Sequence, residues 1–232
     1  MMTTMMKRWI SRMLVAVLLT APAWAQDAEQ LMERARIGAT LQHADLRGEL
    51  EDTDVALFLK GKNIQFQFLE NGKWVPFHLK LGDDQFDLFE WKGGKSVPFP
   101  PAKLSQPIAG SDLTYEDLSF RFLYWPNPKL EGEERVNGFN CWKIRVNNPG
   151  SKGAYAAVYV WIHKEFGAFM KIEGFDRSGK RLKRFEVRET QSVPGGGHTL
   201  KRMEVATMNG DKTIGRSTLK FEKPERTVPA PR

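Results

Sequence analysis

The sequence predicts a mainly β fold, built as one large antiparallel sheet with a few helices against it. Three observations lead there. Apolar residues alternate with polar ones at period two: Ile64, Phe66 and Phe68 around Gln65 and Gln67, and Trp142, Ile144 and Val146 around Lys143 and Arg145. Turn signals separate such runs at hairpin intervals, among them Asn71-Gly72, Gly93-Gly94, Asn137-Gly138, Ser178-Gly179 and Asn209-Gly210. Helical patterns do not alternate with the strands, which argues against βαβ units and for an antiparallel meander.

In chain order, residues 1–25 read as a cleavable export signal. Lys7, Arg8 and Arg12 give a positive start, Leu14 to Leu19 a short apolar core, and Ala23-Trp24-Ala25 small residues at the two positions that signal peptidase reads. The core is far shorter than the roughly 20 residues that a spanning helix needs. Cleavage after Ala25 puts Gln26 at the new N-terminus, where no cysteine can take a lipid, and places the mature protein in the periplasm. A short helix follows, with Ala28, Leu31, Met32 and Ala35 at helical spacing, Asp27 as its cap and Gly38 as its stop. About eleven strands are expected, at 42–51, 53–60, 63–70, 73–81 and 84–91, then at 129–136, 139–147, 155–163, 168–176, 180–193 and 198–207, with a further one at 212–222. Between the two sets lies a stretch, 95–128, holding Pro98, Pro100, Pro101, Pro107, Pro126 and Pro128. Within it Ser111-Asp112 reads as a cap for a helix from Leu113 to Phe122, with Glu116 and Asp117 in the first turn, where acids suit the helix dipole. Such a piece, inserted halfway through a sheet, can lie across one of its faces. Residues 26–223 form one domain, and the proline-rich, charged stretch 224–232 reads as a disordered tail.

Composition narrows the chemistry. Removing 25 of 232 residues leaves 207, and removing the three signal bases lowers the net charge from +7 to +4. That mild, dispersed excess is not a nucleic-acid footprint. Cys141 is alone and has no disulfide partner within the chain; it reads as a buried small apolar residue. His43, His78, His163 and His198 are scattered without metal-ligand spacing, and no nucleophile elbow, P-loop or dinucleotide fingerprint occurs. Glu116 and Asp117 are neighbours on a helix, pointing about 100° apart, so they read as a solvated helix start rather than as a pair flanking a scissile bond. The interleaved Arg181-Leu182-Lys183-Arg184-Phe185 fits the solvent face of a strand. The chain is expected to be no enzyme, with no catalytic residue, cofactor or metal.

A sheet this large must curl or close, and its inner face must be filled, covered or loaded with ligand. Strands such as Tyr155 to Ile162, apolar on both faces, fit either an ordinary core under helices or a cavity for an apolar ligand.

The run Gly110-Ser111-Asp112-Leu113-Thr114-Tyr115-Glu116-Asp117-Leu118 resembles a mid-chain signature of the LolA-like outer-membrane lipoprotein-sorting family. Val136 to Ile144, Tyr159-Val160-Trp161-Ile162 and Phe175-Asp176-Arg177-Ser178-Gly179-Lys180 are similar to hairpins of the same family. The resemblance implies an unclosed antiparallel β-barrel with helices covering its concave face and an apolar cavity for lipid chains. It implies a carrier of lipid or lipid-anchored protein toward the outer membrane, a monomer in transient contact with membranes, with an inner-membrane exporter as a possible companion and no nucleic acid. An envelope sensor or adaptor of the same fold is the alternative. The residues expected to line the cavity are Phe66, Phe68, Phe86, Leu88, Trp142, Ile144, Tyr159 and Trp161, with Tyr115, Leu118 and Phe122 as a lid. Alternation alone does not say which strand face points inward.

Overall fold

The computed structural model describes residues 28–40, 45–60, 63–81, 86–193 and 198–224. The export signal, the Asp27 cap and residues 225–232 of the tail lie outside the described residues. The chain opens with helix α1 (Ala28–Thr40) and then forms β1 (Asp45–Leu50), β2 (Thr53–Lys60), β3 (Asn63–Glu70), β4 (Lys73–Leu81), β5 (Phe86–Lys92) and β6 (Lys95–Pro98). Residues 99–128, called the strap below, contain a 3-10 turn at Pro101–Lys103, the short helix α2 (Tyr115–Ser119) and a second 3-10 turn at Arg121–Tyr124. There follow β7 (Lys129–Val136), β8 (Phe139–Asn147), β9 (Ala157–His163), β10 (Phe169–Phe175), β11 (Arg181–Ser192), β12 (His198–Asn209) and β13 (Lys212–Phe221).

All thirteen strands belong to one antiparallel sheet, ordered β6-β5-β4-β3-β2-β1-β13-β12-β11-β10-β9-β8-β7, which does not close into a barrel. The chain thus starts at the centre, meanders out to the β6 edge, crosses to the opposite β7 edge through the strap, and meanders back until β13 pairs with β1. β6 corrects the sequence expectation, which left residues 95–98 in the proline-rich connection. Pro98 ends the strand at the sheet edge, where a missing N–H breaks no ladder.

Register decides the two faces. Phe66 pairs with Leu57 and Phe77, and Phe68 with Val55 and Val75. In the other half Ile144 pairs with Val160, and Val160 with Ile172. These residues join Leu31, Met32 and Ala35 of α1 and Ile108, Leu113, Leu118, Phe122 and Leu123 of the strap in one buried core. The face under α1 and the strap is therefore the inner one. Each fully buried Leu, Ile or Phe there contributes about 1.5–3 kcal/mol. Cys141 is buried in a smaller cluster with Trp161, Val136, Met170 and Val187.

The strap helix is shorter than its sequence pattern suggests, and its cap is Thr114, not Ser111-Asp112. The Thr114 Oγ1 accepts from the Asp117 N–H at 3.2 Å while Asp117 Oδ2 accepts from the Thr114 N–H at 2.8 Å, a reciprocal capping box. Phe120 then turns into the left-handed region (φ 45°) and breaks the helix before Phe122.

Candidate functional site: the covered inner face and its clamp

The strap is held on the sheet by three carboxylates of its Ser111–Asp117 run, each seated in a different place. Asp112 reaches the sheet itself. Its Oδ1 accepts from Thr207 Oγ1 at 2.5 Å and its Oδ2 from Ser217 Oγ at 3.0 Å, while its N–H donates to Ser217 Oγ at 2.8 Å. Glu116, only 6 % exposed, accepts from the Ala154 N–H at 3.1 Å and lies 3.5 Å from Arg121. Asp117 has no exposed surface; its Oδ1 accepts from the Tyr155 hydroxyl at 2.5 Å and its Oδ2 is 3.7 Å from Lys183 Nζ. Lys183 donates to the Asp112 carbonyl at 2.5 Å and to Thr207 Oγ1 at 3.1 Å, and so ties two of the three anchors together.

Two sequence readings are corrected by this arrangement. Glu116 and Asp117 are not solvated: the strap lies flat on the sheet, so the face of α2 that carries them points into protein. Lys183 is not on the solvent face: in β11 it shares the inward parity of Phe185 and is 7 % exposed. Burial pushes the Asp117 carboxyl above its ordinary value, against the weaker pull of Lys183 and of its hydrogen bonds from Tyr155 and Thr114. The Tyr155 hydroxyl is pushed up by burial and by the neighbouring Asp117 charge.

Three glycines make room for the clamp. A Cβ on Gly215 would come within 2.3 Å of Asp112 Oδ1, one on Gly153 within 2.0 Å of Glu116 Oε1, and one on Gly174 within 2.5 Å of the Tyr155 ring. Sequence reasoning passed over these glycines and over Thr207 and Ser217, took Tyr155 as the start of a two-faced apolar strand, and read Lys183 as solvent-facing. Only Lys183 carried a local signal, a cation at an apolar position of an alternating strand.

The residues expected to line a cavity fall into separate groups. Phe66, Phe68, Leu88, Ile144 and Trp142 are on the inner face, with Tyr115, Leu118 and Phe122 of the strap packed over them or beside them. Tyr115 sits among aromatic rings, 5.2 Å from Phe77, 6.5 Å from Phe68 and 4.6 Å from Phe99. Phe86 pairs with Leu81 in β5, and its side chain lies outside the described residues. Tyr159 and Trp161 lie on the outer face, because they pair with Arg145 and Lys143 and not with Ile144. Among the described residues no His, Cys, Asp and Glu group could hold a metal ion, and no helix is long and apolar enough to cross a membrane.

A protein-family model described as "Uncharacterized protein" matches residues 78–232, a span that takes in the whole clamp. The chain belongs to that family. Its fold is the LolA-like one. A DUF1329 family protein from Desulfovibrio piger superposes with a TM-score of 0.63 at 13 % identity, over 87 % of this chain and 93 % of that one. A putative outer membrane lipoprotein-sorting protein domain from Vibrio parahaemolyticus gives 0.62 at 16 % identity, over 87 % and 95 %. A LolA superfamily protein from Nitrosomonas europaea gives 0.60 at 17 % identity, over 87 % and 94 %. No curated protein matches the chain in sequence.

Proposed function

We propose that the protein is a periplasmic, non-enzymatic carrier that holds the acyl chains of a lipid or a lipid-anchored protein on the inner face of its sheet. The observation that supports this most is how unevenly the strap is fastened. Its carboxylate contacts, through Asp112, Glu116 and Asp117, run to the C-terminal half of the sheet or to the loop before β9, while its Leu123 carbonyl accepts from Arg36 of α1 at 2.7 Å. Toward the N-terminal half it offers the Tyr115 ring against Phe68 and Phe77, the Phe99 N–H to the Leu88 carbonyl at 2.9 Å, and one more exposed ion pair, Lys103 to Glu90 at 2.9 Å. Lifting the aromatic side exposes apolar surface, which an acyl chain covers again at about 0.8 kcal/mol per buried methylene. The polar side stays fixed as the hinge, since breaking a buried ion pair there costs about 3–5 kcal/mol. In the described state α1 and the strap bury the apolar side chains of the inner face, so cargo and strap compete for the same surface, and handover to an acceptor is completed when the strap returns.

Export and maturation belong to the same reading. N-terminal sequencing of the protein from an envelope fraction should begin at Gln26; an intact Met1 in the cytosol contradicts it. The carrier reading is tested with a fluorescent fatty-acid probe, which should bind saturably and be displaced by envelope lipid extract, and by native mass spectrometry for co-purifying lipid. Tyr115→Ala removes the ring that competes with cargo on the aromatic side and should tighten probe binding. Absence of saturable probe binding together with a lipid-free native mass rejects the reading.

A further inference from the structure

The outer face carries a second candidate site, independent of the strap. Strands β8 to β11, with the β7 edge, line a groove of about 550 Å³, within the range of small-ligand sites. Its floor is aromatic: the Tyr159 ring lies 6.2 Å from Trp161 and 5.3 Å, edge-on, from Phe175. Cations stand over that floor, Lys143 at 5.3 Å and Arg145 at 5.7 Å from the Tyr159 ring, and Arg181 at 5.6 Å from Phe175.

Most of the charge in the groove is already matched. Lys143 pairs with Glu134 at 2.6 Å, and Arg181 with Glu173 at 3.3 Å and Asp211 at 3.6 Å. Asp176 uses its carboxylate to hold the Ser178 and Lys180 N–H groups of the β10–β11 turn. Arg145 and Arg177 differ: among the described residues neither makes an ion pair. Arg145 gives its Nε to Asn147 Oδ1 at 3.1 Å, and Arg177 one Nη to the Ser151 carbonyl at 2.9 Å, which leaves most of both donor forks uncommitted. The exposed Glu131 is the one lining carboxylate that no cation or turn engages.

We propose that this groove binds a phosphate ester, with the phosphate taken by Arg145 and Arg177 and its organic body laid on the Tyr159–Phe175 floor. One guanidinium fork matches the two oxygens of a carboxylate; two forks on one groove suit the additional oxygens of a phosphate. The aromatic floor selects an ester over the bare ion. Glu131 opposes the anion, so neutralising it strengthens binding.

The ester can come from a phospholipid headgroup or from a soluble metabolite, and calorimetric titration separates the two. The mature protein is titrated with dihexanoyl phosphatidylglycerol, glycerol phosphate and, as the uncharged control, glycerol. At least one phosphate ester should bind, more weakly as salt is raised, and glycerol should not. Binding of the diacyl compound alone assigns the headgroup, and binding of glycerol phosphate assigns the soluble ester. Arg145→Gln combined with Arg177→Gln should weaken that binding at least tenfold with the near-UV circular dichroism unchanged, and Glu131→Gln should strengthen it. The proposal is overturned if neither ester binds, if the double variant binds as the parent does, which places the ligand on the inner face instead, or if Glu131→Gln weakens binding.

Discussion

Asp117 shows how a fully buried carboxylate can be kept in a fold. Desolvation disfavours its charged form, while the Tyr155 hydroxyl, the Thr114 N–H and Lys183 favour it, and desolvation is the largest of these. A folded pKa raised above the ordinary 3.8 means that the folded state binds this proton more tightly than the unfolded chain does. The contribution is therefore full below that ordinary value and is lost as pH rises through the folded value. Glu134 and Glu204 run the other way. Hydrogen bonds from Lys143 and Arg188 hold them below 4.5, so their contribution is present above 4.5 and lost as pH falls through their lowered values. In urea unfolding across the acid range, the stability of the parent minus that of Asp117→Asn should decrease as pH rises from about 3.8; an increase shows that Lys183 outweighs burial. Tyr155→Phe keeps the ring against Gly174 and deletes only the donor, and should cost roughly 1–3 kcal/mol. Gly215→Ala drives a methyl toward Asp112 Oδ1 and should cost about 1–3 kcal/mol. Most of that penalty should vanish when Asp112 is also replaced by alanine; additive losses in this cycle mean that the two residues do not meet.

At the scale of elements, the strap is not uniform. Its first part, 101–110, is largely exposed apart from Ile108, whereas Leu113 and Glu116 to Ser119 are buried, as are Phe122 and Leu123. Local opening needs few contacts in the first part and the whole clamp in the second. Hydrogen exchange should thus show 101–110 opening well before 113–123, with protection of Tyr115 and its neighbours changed by a bound fatty-acid probe. Exchange of both parts as slow as that of β9 rules out any lid. The strands were legible because one-sided burial writes a period of two into the chain, as in Ile64, Phe66 and Phe68. Leu118 and Phe122 stood out by helical spacing instead, although the helix ends at Ser119, before Phe122. The seating of Asp112 was not legible, because it answers to Thr207 and Ser217, 95 and 105 positions away, and no local pattern encodes a partner at that distance. The split of the aromatic set had the same origin: Tyr159 and Trp161 are as apolar as their neighbours, and only pairing with Lys143 and Arg145 reveals which way they face.

The whole molecule consists of two meanders, β1–β6 and β7–β13, that meet at a narrow seam. β1 and β13 share three register pairs, Gly48 with Phe221, Glu49 with Lys220 and Leu50 with Leu219, whereas β11 and β12 share nine. Two further backbone bonds, Glu51 N–H to the Thr218 carbonyl at 3.0 Å and Glu222 N–H to the Arg47 carbonyl at 2.8 Å, lengthen the seam slightly. Gly48 is what allows the close approach, since a Cβ there would lie 1.9 Å from the Lys220 carbonyl oxygen. Sequence separation also puts this seam last in the order of folding. Within each meander every strand pairs with its sequence neighbour, so the hairpins close short loops and form early. The seam joins residue 48 to residue 221 and must wait for the longest closure in the chain. An interaction formed after the rate-limiting barrier affects the reverse reaction alone. Gly48→Ala should accordingly accelerate unfolding in proportion to the stability it removes while the refolding rate stays near that of the parent; a matching drop in the refolding rate would move the seam into the folding nucleus.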